Sequence, residues 1–143
     1  EHARSGMLLN ASGLACPFLP KTTPPAPSVE HTLQVPLDWR APRAAPTFAV
    51  RFHVDASAFS QGNDSAPIFL KLGGEGTTKY VRCSDTERRH GAICVGTEHR
   101  FYGASLPSSD GTAAATYRHG LSVEQALADA AAVVDAVQGL HPT

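Results

Sequence analysis

Two short stretches of this chain combine residue types that could take part in chemistry. Gly73-Gly74-Glu75-Gly76 directly follows an apolar run, and a second apolar run leads into Glu98–Ser105. A glycine-rich turn after a strand lets the backbone bend sharply and direct N–H groups at one point. Such N–H groups stabilise the negative charge that develops on oxygen during acyl transfer. The first stretch therefore predicts an oxyanion loop or a wall of a substrate pocket.

Two other interpretations of the glycine-rich stretch stay open. A phosphate-binding loop would need Gly-Lys-Ser/Thr, or Gly-x-Gly-x-x-Gly opening a helix, and neither follows Gly76. A tight turn after a strand needs nothing more from the sequence. The second stretch, Glu98–Ser105, is what favours an oxyanion loop over a plain turn.

The second stretch places a glutamate, a histidine and an arginine side by side. Neighbouring residues of an extended chain point to opposite faces, so Glu98 and His99 are poorly placed to share a metal ion. Arg100 is better suited to fastening the turn, through hydrogen bonds to carbonyl groups or to Glu98. We therefore expect a structural supporting role, rather than direct chemistry, for Glu98, His99, Arg100, Tyr102 and Gly103.

No serine of this chain has the sequence context of a nucleophile. The Gly-x-Ser-x-Gly pattern of a nucleophile elbow is absent. Ser105 is followed two positions later by Pro107, and no strand leads straight into it. The seven histidines are scattered without the spacing of a zinc site, so we predict neither a metal ion nor another cofactor. The chain indicates an enzyme whose nucleophile lies elsewhere.

Composition limits the partners and the compartment. A formal net charge of −1 over 143 residues argues against nucleic acid or an anionic membrane as a partner. No apolar run approaches the ~20 residues of a membrane span. Two glycosylation sequons, at Asn10 and Asn63, favour the secretory pathway. Cys83 and Cys94 flank a predicted helix and could form a disulfide, which would leave Cys16 free.

The chain divides into an arm and a folded part. Residues 1–28 hold five prolines among small polar residues, a composition typical of an extended arm. Beyond them, alternation predicts a short strand over His31–Val35. Alternation and apolar runs predict further strands over Thr47–Val54, Pro67–Leu72 and Ala92–Thr97, with Pro67–Leu72 central in its sheet. The last two strands should be parallel and joined by a helix over Ser84–His90.

A final helix is predicted from Ser122 onward, with Gln125 completing a capping box and Gly139 and Pro142 ending it. Its apolar face should comprise Val123, Ala126, Leu127, Ala130, Val133, Val134, Val137 and Leu140. Much of its remaining surface should be occupied by Glu124, Gln125, Asp129 and Asp135. No strand follows this helix, so a βαβ layout predicts further polypeptide.

These motifs resemble a family of serine peptidases that includes lysosomal Pro-X carboxypeptidase, dipeptidyl-peptidase II and the thymus-specific serine protease. The resemblance runs from about Gln34 to Leu140 and rests on the order and spacing of several stretches. They include Val35–Asp38, Phe69–Gly76, Glu98–Pro107 and Leu121–Asp129.

The resemblance implies that residues 29–143 form the N-terminal part of an α/β-hydrolase domain, an α/β fold with an incomplete sheet and flanking helices. It implies a Ser-Asp-His triad, none of which maps onto this chain, while Gly73–Gly76 carries over as the site element. The triad would lie in the remainder of the same polypeptide or in a second chain. This chain alone should then be inactive. The substrates would be short proline-containing peptides, in an extracellular, lysosomal or vacuolar location.

Two rival functions remain open. A degenerate hydrolase could serve as a non-catalytic structural or interaction subunit of an extracellular assembly, and its polypeptide would carry no serine elbow. A lipase or esterase on the same fold would share the glycine-rich stretch and turn over esters. Within the peptidase hypothesis, both carboxypeptidase and dipeptidyl-peptidase activities stay open.

Overall fold

The computed structural model describes residues 28–41, 46–63, 65–107 and 120–141. Within them the elements follow the order β1 (Val29–Pro36), β2 (Thr47–Asp55), β3 (Ile68–Leu72), α1 (Asp85–Arg89), β4 (Ile93–Thr97) and α2 (Val123–Leu140). The strands form one mixed sheet in the spatial order β1-β2-β4-β3. β3 and β4 are parallel, as predicted, and the other two pairings are antiparallel. Of the predicted arm, residues 1–27 lie outside the described residues.

The core lies between the sheet and α2. Alternate residues of β2 are buried, as its sequence predicts: Phe48, Val50, Phe52 and Val54. The last two pack with Ile93 and Val95 of β4 and with Val133 and Val137 of α2. This layer of apolar side chains holds the helix across the sheet and brings its first turns over the carboxyl end of β4.

β3 differs from its predicted place. It lies at an edge of the described sheet, and Phe69 and Leu72 are 39% and 59% exposed. The expectation of a central strand is wrong for the described residues. An apolar sequence on both faces requires cover on both faces, but it does not determine which strands lie on either side.

α1 has the ends that its sequence predicts. Ser84 caps it and forms a complete capping box with Glu87, and His90 ends it. Gly91 follows with a φ of 64°, a conformation that favours glycine. Cys83 and Cys94 are joined by a disulfide bond, with their Cα atoms 5.4 Å apart. The start of α1 is thereby fastened to β4.

A buried carboxylate reinforces the same corner. Asp55, at the end of β2, accepts hydrogen bonds from the backbone of Ser57 at 3.0 Å and of Cys83 at 2.9 Å. Arg88 of α1 donates to the same side chain at 3.2 Å. Burial by itself raises the pKa of Asp55, but these hydrogen bonds outweigh it and hold the pKa below its ordinary value.

α2 departs from its predicted face and cap. Ser122 caps the helix, but the side chain of Gln125 turns into the interior instead of closing a capping box. The buried positions are Gln125, Asp129, Ala130, Val133 and Val137. The predicted apolar residues Val123, Leu127 and Leu140 are 71%, 55% and 52% exposed. Only the C-terminal half of the helix packs by apolar contact with the sheet, because polar partners meet its N-terminal half.

Candidate active site

The carboxyl ends of the two parallel strands lie side by side and carry both predicted stretches. β3 leads into the glycine loop (residues Gly73–Thr78), and β4 leads into the arginine turn (residues Glu98–Ser105). The N–H of Gly73 donates to the carbonyl of Thr97 at 2.8 Å. A Cβ on Gly73 would lie 2.6 Å from that carbonyl oxygen, so glycine is required by close approach. Ligands of open α/β sheets bind at this edge.

The glycine loop is fixed at both ends and exposed between them. Thr78 donates its N–H to Glu98 at 3.0 Å, and its carbonyl lies 2.9 Å from Nε2 of His53. Gly74, Glu75 and Gly76 are exposed. Because the N–H groups of Gly73 and Thr78 are already bonded within the fold, any N–H that this loop offers to a bound oxyanion has to come from residues 74–77.

Glu98 links the loop to the turn. Its side chain is fully buried and accepts hydrogen bonds from four donors: the N–H of Thr78 at 3.0 Å, the N–H of Ala104 at 3.0 Å, the hydroxyl of Ser105 at 2.8 Å and the guanidinium of Arg51. Burial by itself raises the pKa of Glu98, but these four donors outweigh it and hold the pKa below its ordinary value. Glu98 is therefore a charged acceptor.

Two small residues complete the packing around Glu98. Gly103 has a φ of 57°, and a Cβ there would overlap the Glu98 carboxylate. Ser105 is fully buried; its hydroxyl donates to Glu98 and accepts from the N–H of Arg51 at 2.9 Å. In this arrangement the Ser105 hydroxyl is a structural group and not an accessible nucleophile.

Arg100 fastens the turn through carbonyl groups, one of the two predicted alternatives, and through a carboxylate other than Glu98. It donates to the carbonyls of Pro36, Leu37 and Gly120 at 3.2, 3.1 and 2.7 Å, as the carbonyl alternative predicts. Its carboxylate partner is Asp129, not Glu98, with two parallel bonds of 2.7 and 2.8 Å. Glu98 is bonded to Arg51 instead.

The Arg100–Asp129 pair extends to the chain after β1. Trp39 donates its indole N–H to Asp129 at 2.7 Å and its backbone N–H to Gln125 at 2.8 Å. Asp38 accepts a hydrogen bond from the Gln125 side chain. Helical periodicity places Gln125 and Asp129 outside the apolar face of their helix and does not predict this cluster. A carboxylate needs a partner only where it is buried, and nothing in the sequence around Asp129 shows that it is.

Two clefts lie against these stretches. One, of about 350 Å³, is lined by Gly74, Glu75, His99, Tyr102 and the start of α2. The rings of His99 and Tyr102 meet edge to face with their centroids 5.5 Å apart. The other, of about 180 Å³, lies between the carboxyl ends of the strands and α2. The fold therefore brings the glycine loop and the arginine turn together around a space that a small ligand could enter.

The remaining predicted site residues lie apart from these clefts. Asn63 is half-buried and accepts a hydrogen bond from the N–H of Ser65 at 3.3 Å, whereas Asn10 is outside the described residues. Among the described residues, Cys83, Glu87 and Cys94 are close enough together to hold a metal ion. Both sulfur atoms are joined in the disulfide, so the group does not fit one.

The architecture is that of an α/β protein with a candidate ligand site at the carboxyl ends of its parallel strands. Residues 36–143 match the sequence model of the serine carboxypeptidase S28 family. The chain belongs to this family, which confirms the resemblance seen in its motifs.

Three relatives show how much of a family member is present. The chain is 32% identical over 139 residues to a putative serine protease of Caenorhabditis elegans, covering 85% of this chain and 26% of that protein. It is 32% identical over 114 residues to a probable extracellular serine carboxypeptidase of Arthroderma benhamiae, covering 71% of this chain and 15% of that protein. It is 35% identical over 113 residues to the thymus-specific serine protease of Mus musculus, covering 76% of this chain and 21% of that protein. The chain spans about a quarter or less of these curated relatives.

Proposed function

We propose that this chain forms the N-terminal part of the catalytic domain of a proline-directed serine exopeptidase with an α/β-hydrolase fold. Membership of the S28 family supports the chemistry. The observation that carries the proposal is the glycine loop, exposed at the carboxyl edge of the parallel strands while both its ends are hydrogen-bonded to buried groups. A Ser-Asp-His triad supplied by polypeptide outside this chain completes the site.

The glycine loop acts during acyl transfer. The serine attacks the scissile carbonyl while the histidine takes its proton, and the carbonyl oxygen becomes negatively charged. In α/β-hydrolases one N–H for this oxyanion comes from the residue after the nucleophile and another from the loop after the third strand. The glycine loop follows β3, and its exposed residues 74–77 supply the second N–H.

The exposed edge of β3 supports an addition to the sheet. Leu72 on β3 and Val123 and Leu127 on α2 are more than half exposed and border the same cleft. A further strand beside β3 would cover this surface and end next to the glycine loop. That is where the proposal puts the nucleophile.

The test uses the full-length protein and peptides that differ in one residue. Matched peptides carry Pro or Ala before the scissile bond, and a fluorophosphonate probe reports a reactive serine. We expect labelling and a kcat/KM for the Pro peptides at least about tenfold higher. Ester turnover without a Pro preference would indicate an esterase, and neither labelling nor turnover would indicate a non-catalytic protein. Either result overturns the proposal.

A pair of variants tests the loop itself. Gly74→Pro removes one N–H and should lower kcat by about 10²–10³ if that group binds the oxyanion. Gly74→Ala keeps the N–H and places its methyl group where no atom lies within 4 Å, so it is the matched control. Equal activities of the two variants would exclude this N–H from the oxyanion site.

The location is proposed on similar grounds. One relative is named as extracellular, and the two sequons suit a secreted or lysosomal protein. Treatment of the natural protein with an N-glycosidase should increase its gel mobility, and Asn63→Gln should remove part of that shift. An unchanged mobility would contradict glycosylation at either sequon.

A further inference from the structure

We infer that Glu98 is a positioning residue for catalysis: its carboxylate holds the glycine loop and the arginine turn in one fixed arrangement, and so sets where the oxyanion N–H groups point. This inference rests on the proposed function, because it assigns a task to Glu98 in that site. Glu98 itself is fully buried and does not reach a bound substrate.

The two oxygens of the carboxylate serve different parts of the site. Oε1 accepts from the N–H of Thr78, the last residue of the glycine loop, at 3.0 Å. Oε2 accepts from the N–H of Ala104 and the hydroxyl of Ser105, both in the arginine turn, at 3.0 and 2.8 Å. Glu98 thus bridges two segments: its partner in the glycine loop lies 20 positions before it, and its partners in the arginine turn lie six and seven positions after it.

This bridge requires an ionised carboxylate and not merely a side chain of that shape. A carboxylate offers two acceptor oxygens, whereas an amide offers one acceptor and one donor. In Glu98→Gln, the NH₂ group has to face either the N–H of Thr78 or the N–H of Ala104. One of the two segments then loses its acceptor whichever way the amide turns, and Arg51 loses its counter-charge.

Asp55 provides a matched control. It is also a buried carboxylate, bonded to backbone N–H groups and to an arginine, Arg88. It pairs with Cys94 in the register of β2 and β4, whereas Glu98 follows Thr97, so the two lie near opposite ends of β4. Asp55→Asn therefore makes the same chemical change away from the glycine loop.

The experiment compares Glu98→Gln and Asp55→Asn in the full-length enzyme. It measures kcat and KM on a Pro peptide, the Ki of a peptidyl boronic acid and the Ki of an uncleavable reduced-amide peptide. The tetrahedral boronate places an oxygen in the oxyanion position, and the reduced amide does not. Glu98→Gln should lower kcat about tenfold or more and raise the boronate Ki by a similar factor. Its KM and its Ki for the reduced amide should stay within about threefold of the wild-type values. Asp55→Asn should change neither kcat, nor KM, nor either Ki.

Each other outcome has a defined meaning. An unchanged kcat in Glu98→Gln, or a parallel rise of KM and both Ki values, would overturn the positioning role. A wild-type enzyme that neither cleaves the peptide nor binds the boronate would instead overturn the proposed function. If Glu98→Gln does not fold, Ser105→Ala removes one donor to Oε2 and keeps the carboxylate. It should then lower kcat several-fold with a matching rise of the boronate Ki, and an unchanged kcat would contradict the inference.

Discussion

Single residues of the site show two different uses of glycine. Gly73 and Gly103 are required by what lies beside them: a strand carbonyl in the first case and the Glu98 carboxylate in the second. Gly74 and Gly76 have open space around their Cα atoms. The first pair therefore holds the site together, and the second pair leaves backbone groups uncovered at its surface.

This difference predicts the effect of adding one methyl group. Gly103→Ala should lower the free energy of unfolding by about 1–3 kcal/mol, because the residue has a φ of 57° and its Cβ would overlap Glu98. Gly74→Ala should change it by less than about 0.5 kcal/mol. Urea unfolding of the full-length protein, followed by circular dichroism, measures both. Equal losses in the two variants would contradict this account.

Among the elements, α2 is held by two kinds of contact. Its C-terminal half packs Val133 and Val137 against the sheet, whereas its N-terminal half presents Gln125 and Asp129 to Trp39 and Arg100. Helical periodicity predicted the packing of the C-terminal half. It failed for the N-terminal half, because the partners of Gln125 and Asp129 come from distant parts of the chain and leave no mark on the local pattern.

The buried ion pair between Asp129 of α2 and Arg100 predicts a large loss of stability on one substitution. Asp129→Asn should lower the free energy of unfolding by about 3–5 kcal/mol, because it leaves the buried guanidinium of Arg100 without a counter-charge. Asp135→Asn, on the exposed face of the same helix, should cost less than about 0.5 kcal/mol. The same urea experiment compares them. A loss of less than about 1 kcal/mol in the free energy of unfolding of Asp129→Asn would contradict this prediction and would mean that Arg100 is hydrated in solution.

The disulfide between Cys83 and Cys94 links the start of α1 to β4 and should stabilise the fold. Its cysteines are separated by 11 positions, and removing a link that closes so short a loop should cost about 3 kcal/mol. Replacing both Cys83 and Cys94 by Ser should therefore lower the melting temperature by several degrees. Dithiothreitol should destabilise the wild type more than it destabilises the double variant. A wild type insensitive to complete reduction would show that the link adds no stability.

For the whole molecule, the sequence predicted what depends on local pattern. The strands, the capped helix α1 and the parallel pairing of β3 with β4 follow from alternation, caps and the helix between them. The edge position of β3 and the choice of Asp129 over Glu98 as the partner of Arg100 do not, because each depends on segments brought together by the fold. The placement of the two site stretches was predictable, and the hydrogen bonds that fix them were not.

The buried carboxylates predict the pH dependence of the whole molecule. Glu98 and Asp55 have pKa values below the ordinary range in the folded state, so the unfolded chain binds protons more readily than the folded one. Their contribution to stability is complete above the unfolded pKa values of about 4 and is lost as the pH falls through the lower folded values. The free energy of unfolding, measured in urea at a series of pH values, should therefore fall below about pH 5. The double variant Glu98→Gln, Asp55→Asn should show a flatter acid slope, and a rise in stability on acidification would contradict the prediction.

The buried Arg100 has a consequence for the order in which the chain folds during synthesis. Its partners lie on both sides of it, from Pro36, 64 positions earlier, to Asp129, 29 positions later. A ribosome completes β1, β2 and β4 before Asp129 exists, and until then a buried Arg100 would be an uncompensated charge. We therefore expect the guanidinium to stay hydrated until α2 is available, so that the end of β1, the arginine turn and α2 close over it in one late step. Such a nascent chain would pair its strands while the edge that carries the glycine loop is still open.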